Sequence, residues 1–275
     1  MYLGVDIGGT KTLAAVLNEH GVITQKNKIP TNKDYDAFLV ELAQTIKDFG
    51  DHDYRAAGIG MPVTEFDRAE GIGVRYGNLP WKNVPIQADI EKITGCPVAL
   101  ENDAKLAGLS EAMLLKDYSK VLYVTISTGI GTALIVDQHI DPNVGDAGGA
   151  TMLLQHHGKL LPWERFASGK AIVERFGKRA EDIHDEATWR RIVHDWRSGF
   201  LELIAVMDPD IIVIGGSVGT YFDRYKHLLV DELTQYETPL LIIPPFTQAQ
   251  RPEEAVVFGC YDYAKQLFGA KQRAA

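Results

Sequence analysis

Residues 1–17, MYLGVDIGGTKTLAAVL, run as an apolar strand to Asp6, break at Gly8-Gly9-Thr10-Lys11, and resume as a second β-type run over 13–17. This spacing predicts a tight hairpin with a glycine tip and a carboxylate at its base. Two glycines let backbone N–H groups come close to a phosphate, Thr10 and Lys11 add a hydroxyl and a charge, and Asp6 is placed to hold Mg2+ directly or through water. The same residues also make an ordinary hairpin turn, so this loop alone does not decide for a nucleotide.

A partial repeat strengthens the case. Residues 121–136, VLYVTISTGIGTALIV, again set an apolar strand, a turn of Ser127, Thr128, Gly129 and Gly131, and a second apolar strand in that order. Two hairpins of one design suggest a duplicated domain with a phosphate chain held between the tips. Residues 210–218, DIIVIGGSV, add a buried strand that ends in Gly215-Gly216-Ser217, bare backbone against which a base or ribose can lie. Together the three segments resemble the phosphate-one, phosphate-two and adenosine segments of the actin-like ATPase superfamily, which includes the sugar kinases. The resemblance implies an α/β chain of two ribonuclease-H-like lobes around a cleft.

With 275 residues, 45% of them hydrophobic, the chain can bury a sizeable core. Its formal charge of −9 argues against a nucleic-acid backbone or an anionic membrane as the main partner. The first strand leaves no room for a signal peptide and no apolar stretch approaches the ~18 residues of a membrane span, so a cytoplasmic protein is expected. Cys96 and Cys260 are too few for a disulfide framework and lack metal-site spacing; both read as buried thiols.

Further along, 21–30 reads as a third strand, 36–49 as a helix and 55–63 as a buried strand, the opening of a ribonuclease-H-like lobe. Residues 64–84 read as a loop-rich segment holding Asn78-Leu79-Pro80-Trp81. A helix over 86–94 and a strand over 97–100 then deliver Glu101-Asn102-Asp103-Ala104 to the start of a helix over 104–115. Asn and Asp are favoured helix caps, which alone explains their types. Equally, Asp103 at a strand end is placed to take a proton from an alcohol attacking a γ-phosphate. Spacing leaves both readings open.

The Glu-Asn-Asp-Ala run resembles the catalytic segment of the ROK (repressor, open reading frame, kinase) family of sugar kinases. The chain shares four further motifs with that family: the Asp-x-Gly-Gly-Thr start, the Asn-Leu-Pro-Trp loop, the Thr-Gly-x-Gly hairpin and Ala-Ser-Gly-x-Ala-Ile over 167–172. The resemblance implies an ATP- and Mg2+-dependent, glucokinase-like hexose kinase. In it Asp103 is the general base, and Asn78, Asn102, Asp103 and Glu164 contact the sugar. Asp6, which also holds Mg2+, lies with Gly8, Gly9, Thr10 and Lys11 on the phosphate side. Thr128, Gly129 and Gly131 hold the donor phosphates, and Gly215 and Gly216 the adenosine. Glu164 also suits a helix cap or a surface ion pair. The implied lobes are 1–104 with the C-terminal helix 254–270, and 105–253, and relatives make a homodimer the expected assembly.

One region departs from the family. Where ROK kinases carry Glu-x-Gly-His, whose Glu and His bind sugar and whose His joins three cysteines on a structural zinc, this chain has GDAGGATM over 145–152 and QHHGKLLPW over 155–163. Without thiolates no zinc site is expected. His156 and His157, adjacent in a strand, are expected to face opposite sides as loop histidines. Asp146 is the nearest acid that can replace the missing Glu, and fits a turn as well.

The remainder reads as helices over 169–180, 187–207 and 221–233, an edge strand over 240–244 and a closing helix over 253–268. Arg165, Lys170, Arg175, Lys178 and Arg179 form a basic patch, either a solvated helix face or an attractor for a polyanionic donor such as polyphosphate. The competing expectations are a sugar- or nucleotide-sensing protein without turnover and, more distantly, a structural filament. Family repressors carry an N-terminal DNA-binding module, which this sequence does not show before its first strand.

Overall fold

A computed structural model describes residues 1–141, 148–251 and 253–269. The chain divides into two compact units, Met1–Ser110 with Glu253–Ala275, and Glu111–Pro252.

The first unit opens with β1 (Tyr2–Ile7), β2 (Lys11–Leu17) and β3 (Ile23–Pro30), an antiparallel meander whose register pairs Asp6 with Leu13. Helix α1 (Tyr35–Asp48) follows, started by the Asp34 side chain, which accepts from Ala37 N–H. Strand β4 (Ala56–Met61) then joins β1 in parallel. After α2 (Ile86–Thr94), β8 (Val98–Asn102) joins β4 in parallel and runs straight into α3 (Asp103–Ala112). The sheet order is β3-β2-β1-β4-β8.

Alternation along β1 sorts its two faces. Leu3, Val5 and Ile7 pack with Phe38, Leu42, Ile59 and Ile90, whereas Tyr2 packs with Val257, Tyr261 and Ala264 of the C-terminal helix Ala255–Phe268. Two glycines let that helix lie directly on its neighbours. A Cβ at Gly58 would stand 2.1 Å from the Cys260 carbonyl oxygen, and one at Gly259 1.9 Å from that of Leu106. Both cysteines are buried free thiols.

Residues 64–84, expected to be loop-rich, are largely a small antiparallel sheet of β5 (Val63–Asp67), β6 (Ile72–Tyr76) and β7 (Lys82–Val84). Register shifts on both sides of Glu65 break the period-2 pattern by which such strands are recognised.

The second unit repeats the theme with β9 (Lys120–Ile126), β10 (Ile130–Val136) and the short β11 (His139–Ile140). A hairpin of β12 (Leu153–His156) and β13 (Lys159–Pro162) follows. Next come α4 (Glu164–Ala167), α5 (Gly169–Phe176) and the long α6 (Glu186–Met207). Helix α5 stops short of residue 180 because Gly177, at φ 66°, caps it in the left-handed region. Strand β14 (Ile211–Gly215), the short α7 (Gly216–Gly219), α8 (Lys226–Thr234) and β15 (Phe246–Gln248) complete the unit. Sheet order is β11-β10-β9-β14-β15, with β9, β14 and β15 parallel.

Two expectations are corrected here. The helix expected over 221–233 is a 3-10 turn at Phe222–Arg224 followed by α8. The edge strand lies after the proline pair, not before it: Pro245 O accepts from Ile212 N–H at 2.9 Å and starts the β14–β15 ladder, leaving Leu240 and Ile242 exposed. A core around Trp163, Trp189, Trp196, Phe200 and Tyr225 fills the space beneath this sheet. No helix among the described residues is long and apolar enough to cross a membrane.

Candidate active site

In the first unit the parallel strands β1, β4 and β8 end side by side, with Asp6 opposite Gly60 and Gly60 opposite Glu101. The carboxyl ends of parallel strands are where α/β sheets bind ligands. The edge carries two carboxylates with the side-chain-free Gly60 on the strand between them. Burial, reinforced by the Asp103 carboxylate and opposed by Lys28, pushes the Asp6 carboxyl from 3.8 up to about 7. Burial likewise raises Asp103 to about 6, against the pull of the Ala104 and Asp103 N–H groups.

Asn102, not Asp103, supplies most of the helix cap. Its Oδ1 accepts from Ala104 N–H at 2.9 Å and Lys105 N–H at 3.3 Å, and its Nδ2 donates to Val63 O at 3.1 Å. The expectation of Asn102 as a sugar ligand is thereby narrowed, since this buried amide keeps one N–H for a ligand. Asp103 Oδ1 shares the Ala104 N–H at 2.7 Å. Below them Glu101, fully buried, receives Arg68 Nη2 at 2.7 Å and Nε at 3.3 Å, and its Oε1 accepts Asn102 N–H at 2.8 Å. Arg68, which sequence patterning did not single out, holds the Glu-Asn-Asp run in place from the β5–β6 turn.

The glycine turn closes on its own backbone and is tied to Thr31. Gly8 N–H bonds Lys11 O at 3.0 Å, Thr31 Oγ1 donates to Gly8 O at 2.8 Å, and Thr31 N–H bonds Thr10 O at 3.0 Å. Thr10 and Lys11 are exposed. Gly9 is required by a close approach, because a Cβ there would stand 2.6 Å from Asn78 Cβ. Glycine turn and Asn78 loop thus touch.

In the second unit the β9–β10 tip closes on itself through Ser127 N–H to Gly129 O at 2.9 Å. It is fixed to its neighbours by Gly169 N–H to Ser127 O at 2.7 Å and Ser217 N–H to Ser127 Oγ at 3.0 Å. Beside it opens a cavity of about 540 Å3 lined by Ser127, Thr128, Lys170, Arg179, Ser217 and Tyr221, among others. That volume suits a nucleotide-sized ligand. Arg224 shapes one wall, stacking on the Tyr221 ring at 4.5 Å while its Nη1 donates to the carbonyls of Ala180, Glu181 and Ile183.

The glycines of the third segment divide. At Gly216, φ is 79° and a Cβ would meet Ile126 O at 2.5 Å, so α7 passes tightly under the hairpin. Gly215 faces the Tyr123 hydroxyl instead, 2.2 Å from where a Cβ would be. A Cβ at Gly148 would stand 3.0 Å from Gly131 Cα. Glu164, expected toward sugar, lies against the hairpin: its Oε2 accepts from Ile130 N–H at 3.3 Å, and a Cβ at Gly129 would stand 2.7 Å from it.

Of the basic patch, Lys170 and Arg179 reach the cavity, while Arg175 pairs with buried Asp195. The histidines differ from expectation. His157 occupies the β12–β13 turn at φ 47°, so the alternation of a strand does not apply, and its ring lies 4.1 Å from that of His156. His156 stacks on Phe166 at 4.1 Å rather than standing free in a loop. Among the described residues no group of three or more His, Cys, Asp or Glu is gathered for a metal. Asp146 lies outside the described residues.

A model of the ROK family matches residues 2–266, and the chain belongs to that family. The glucokinase of Streptomyces coelicolor is 24% identical, over 96% of this chain and 97% of its own. An N-acetylmannosamine kinase of Vibrio cholerae is 29% identical over 86% and 92% of the two chains. The crystal structure of a ROK family glucokinase from Streptomyces griseus, in complex with glucose and AMPPNP, superposes with a TM-score of 0.78 at 23% identity. It spans 96% of this chain and 99% of that one. The fold is the actin-like ATPase fold, with one of its β-sheets in each unit.

Proposed function

We propose that this chain is a sugar kinase that transfers the γ-phosphoryl group of ATP to a hydroxyl of a hexose. The observation that carries the proposal is the division of labour at the end of β8: Asn102 caps α3 and Arg68 neutralises Glu101, so Asp103 is left as a carboxylate on the ligand-binding edge. Its pKa near 6 suits a general base, ionised at neutral pH yet basic enough to take the alcohol proton. Asn78 and the spare Asn102 N–H orient the acceptor. The Gly8, Gly9, Thr10 and Lys11 turn brings the exposed Thr10 hydroxyl and Lys11 ammonium to the transferred phosphoryl group. Asp6 fits Mg2+: it is a hard oxygen donor whose negative charge burial and Asp103 disfavour, and a cation there would relieve both. When bound, the ion neutralises phosphate charge.

In the second unit, Thr128, Gly129 and Gly131 offer the donor phosphates a hairpin backbone, with Lys170 and Arg179 adding positive charge and the walls around Gly216 and Tyr221 taking the adenosine. The AMPPNP-bound relative supports ATP as donor. Because similar relatives act on glucose or on N-acetylmannosamine, the proposal stops at hexoses and their amino derivatives. Calorimetry with Mg-ADP is the test of the donor half. Wild-type protein is expected to bind, and Gly129→Val, which crowds the tip against Glu164, to weaken binding roughly tenfold or more at unchanged thermal stability. Absence of binding to both ADP and ATP would contradict the ATP reading and make polyphosphate the donor to examine.

A further inference from the structure

We propose that Lys33 is a positioning residue whose ammonium clasps the glycine turn to the Asn78 loop and thereby fixes where the acceptor hydroxyl stands. Its Nζ donates to two backbone carbonyls, Gly9 O and, at 3.2 Å, Asn78 O. Those carbonyls belong to segments far apart in sequence that also touch directly through Gly9 and Asn78 Cβ. A lysine on a solvated surface would normally sample many rotamers. This one starts from anchored backbone. Trp81 Nε1 donates to Lys33 O at 3.0 Å, and the indole itself is buried against Phe38 and Tyr76, with ring centroids 4.7 and 5.4 Å away. On either side, Asn32 Oδ1 accepts Asp34 N–H at 3.0 Å, and Asp34 caps α1.

The chemistry of the clasp follows from its acceptors. Both are neutral carbonyls, and among the described residues no carboxylate forms an ion pair with Lys33, so its charge remains beside the phosphate turn. Two donors hold the loops together and a third is left over. Asn78 stands in the Asn78-Leu79-Pro80-Trp81 loop, and Gly9 in the turn next to the Asp6 edge. A loop free to shift by an ångström would misplace the attacking hydroxyl, and such misplacement costs on the order of 10²-fold in rate. The inference rests on the kinase proposal for its effect on turnover, but the clasp itself is a statement about the fold.

The experiment therefore has two arms, run on Lys33→Met and Lys33→Arg. With ATP and an accepted hexose, K33M is expected to lower kcat roughly 10–10²-fold with the KM for ATP within threefold, and K33R to recover most of the loss. Hydrogen–deuterium exchange of the ligand-free protein over residues 8–11 and 77–81, including the Gly77 N–H bonded to Pro62 O, is expected to speed up tenfold or more in K33M and little in K33R. Exchange unchanged in K33M overturns the clasp, with or without turnover in the wild type. Faster exchange with kcat within twofold of wild type overturns the positioning role. A wild type inactive on every sugar sinks the kinase proposal, and the exchange arm still decides the clasp.

Discussion

Replacing Asp103 by asparagine is expected to lower kcat by roughly 10²-fold or more while leaving sugar and nucleotide affinities within a few-fold. Asparagine keeps the shape and can still hydrogen-bond the acceptor hydroxyl, but it cannot take the proton. The fold should tolerate the change, because Asn102 continues to cap α3 and Arg68 continues to hold Glu101. The pH dependence provides a second signature. With Asp6 near 7 and Asp103 near 6, kcat/KM of the wild type should rise with pH across about 5.5–7.5 and level off above. Since the two carboxylates interact, the rise belongs to the pair and is described by two apparent values. If D103N retains wild-type turnover, Asp103 serves only the helix terminus and a sensor without turnover becomes the better account.

Replacing Asp6 by asparagine is expected to push activity and stability in opposite directions. Activity should fall by roughly 10²-fold or more, because the hard oxygen ligand for Mg2+ is gone. Stability of the ligand-free protein should rise. A carboxyl raised from 3.8 to about 7 holds in the folded state a proton that the unfolded chain releases, so it lowers stability progressively as pH climbs through that window. Removing the ionisation should therefore add on the order of 2–4 kcal/mol at pH 8, or roughly 5–10 °C in Tm, and little at pH 4. Thermal melts at the two pH values check this. A lower Tm for D6N at pH 8 would show that Asp6 is a structural partner instead of a functional liability.

Local periodicity carried much of this architecture. The β1–β2 and β9–β10 hairpins and helix α2 need only alternation, glycine tips and a 3.6-residue repeat, and all stand where those patterns put them. What escaped was set by partners distant in sequence. The β5–β7 sheet is hidden by its register shifts, and β15 by a proline pair whose carbonyl, not its missing N–H, meets β14. At the candidate site, residue type left Asn102 and Asp103 open between helix cap and catalysis and the family resemblance marked them, but only the structure separates the amide that caps the helix from the carboxylate left at the edge. Glu164 illustrates the limit: its motif pointed toward sugar, while its Oε2 lies on the Ile130 N–H of the phosphate hairpin. Lys33 and Arg68 carry no motif at all, since a cation that bonds backbone carbonyls or a buried glutamate is specified by tertiary placement.

The most direct test of the central claim is a coupled ADP-release screen of the purified protein with Mg-ATP over hexoses and amino sugars, run alongside polyphosphate. The account predicts ADP release that depends on one or a few of these sugars, matched mole for mole by sugar phosphate, and lowered roughly 10²-fold or more in D103N. Protein that binds both Mg-ADP and a sugar yet forms no sugar phosphate from either donor would contradict it.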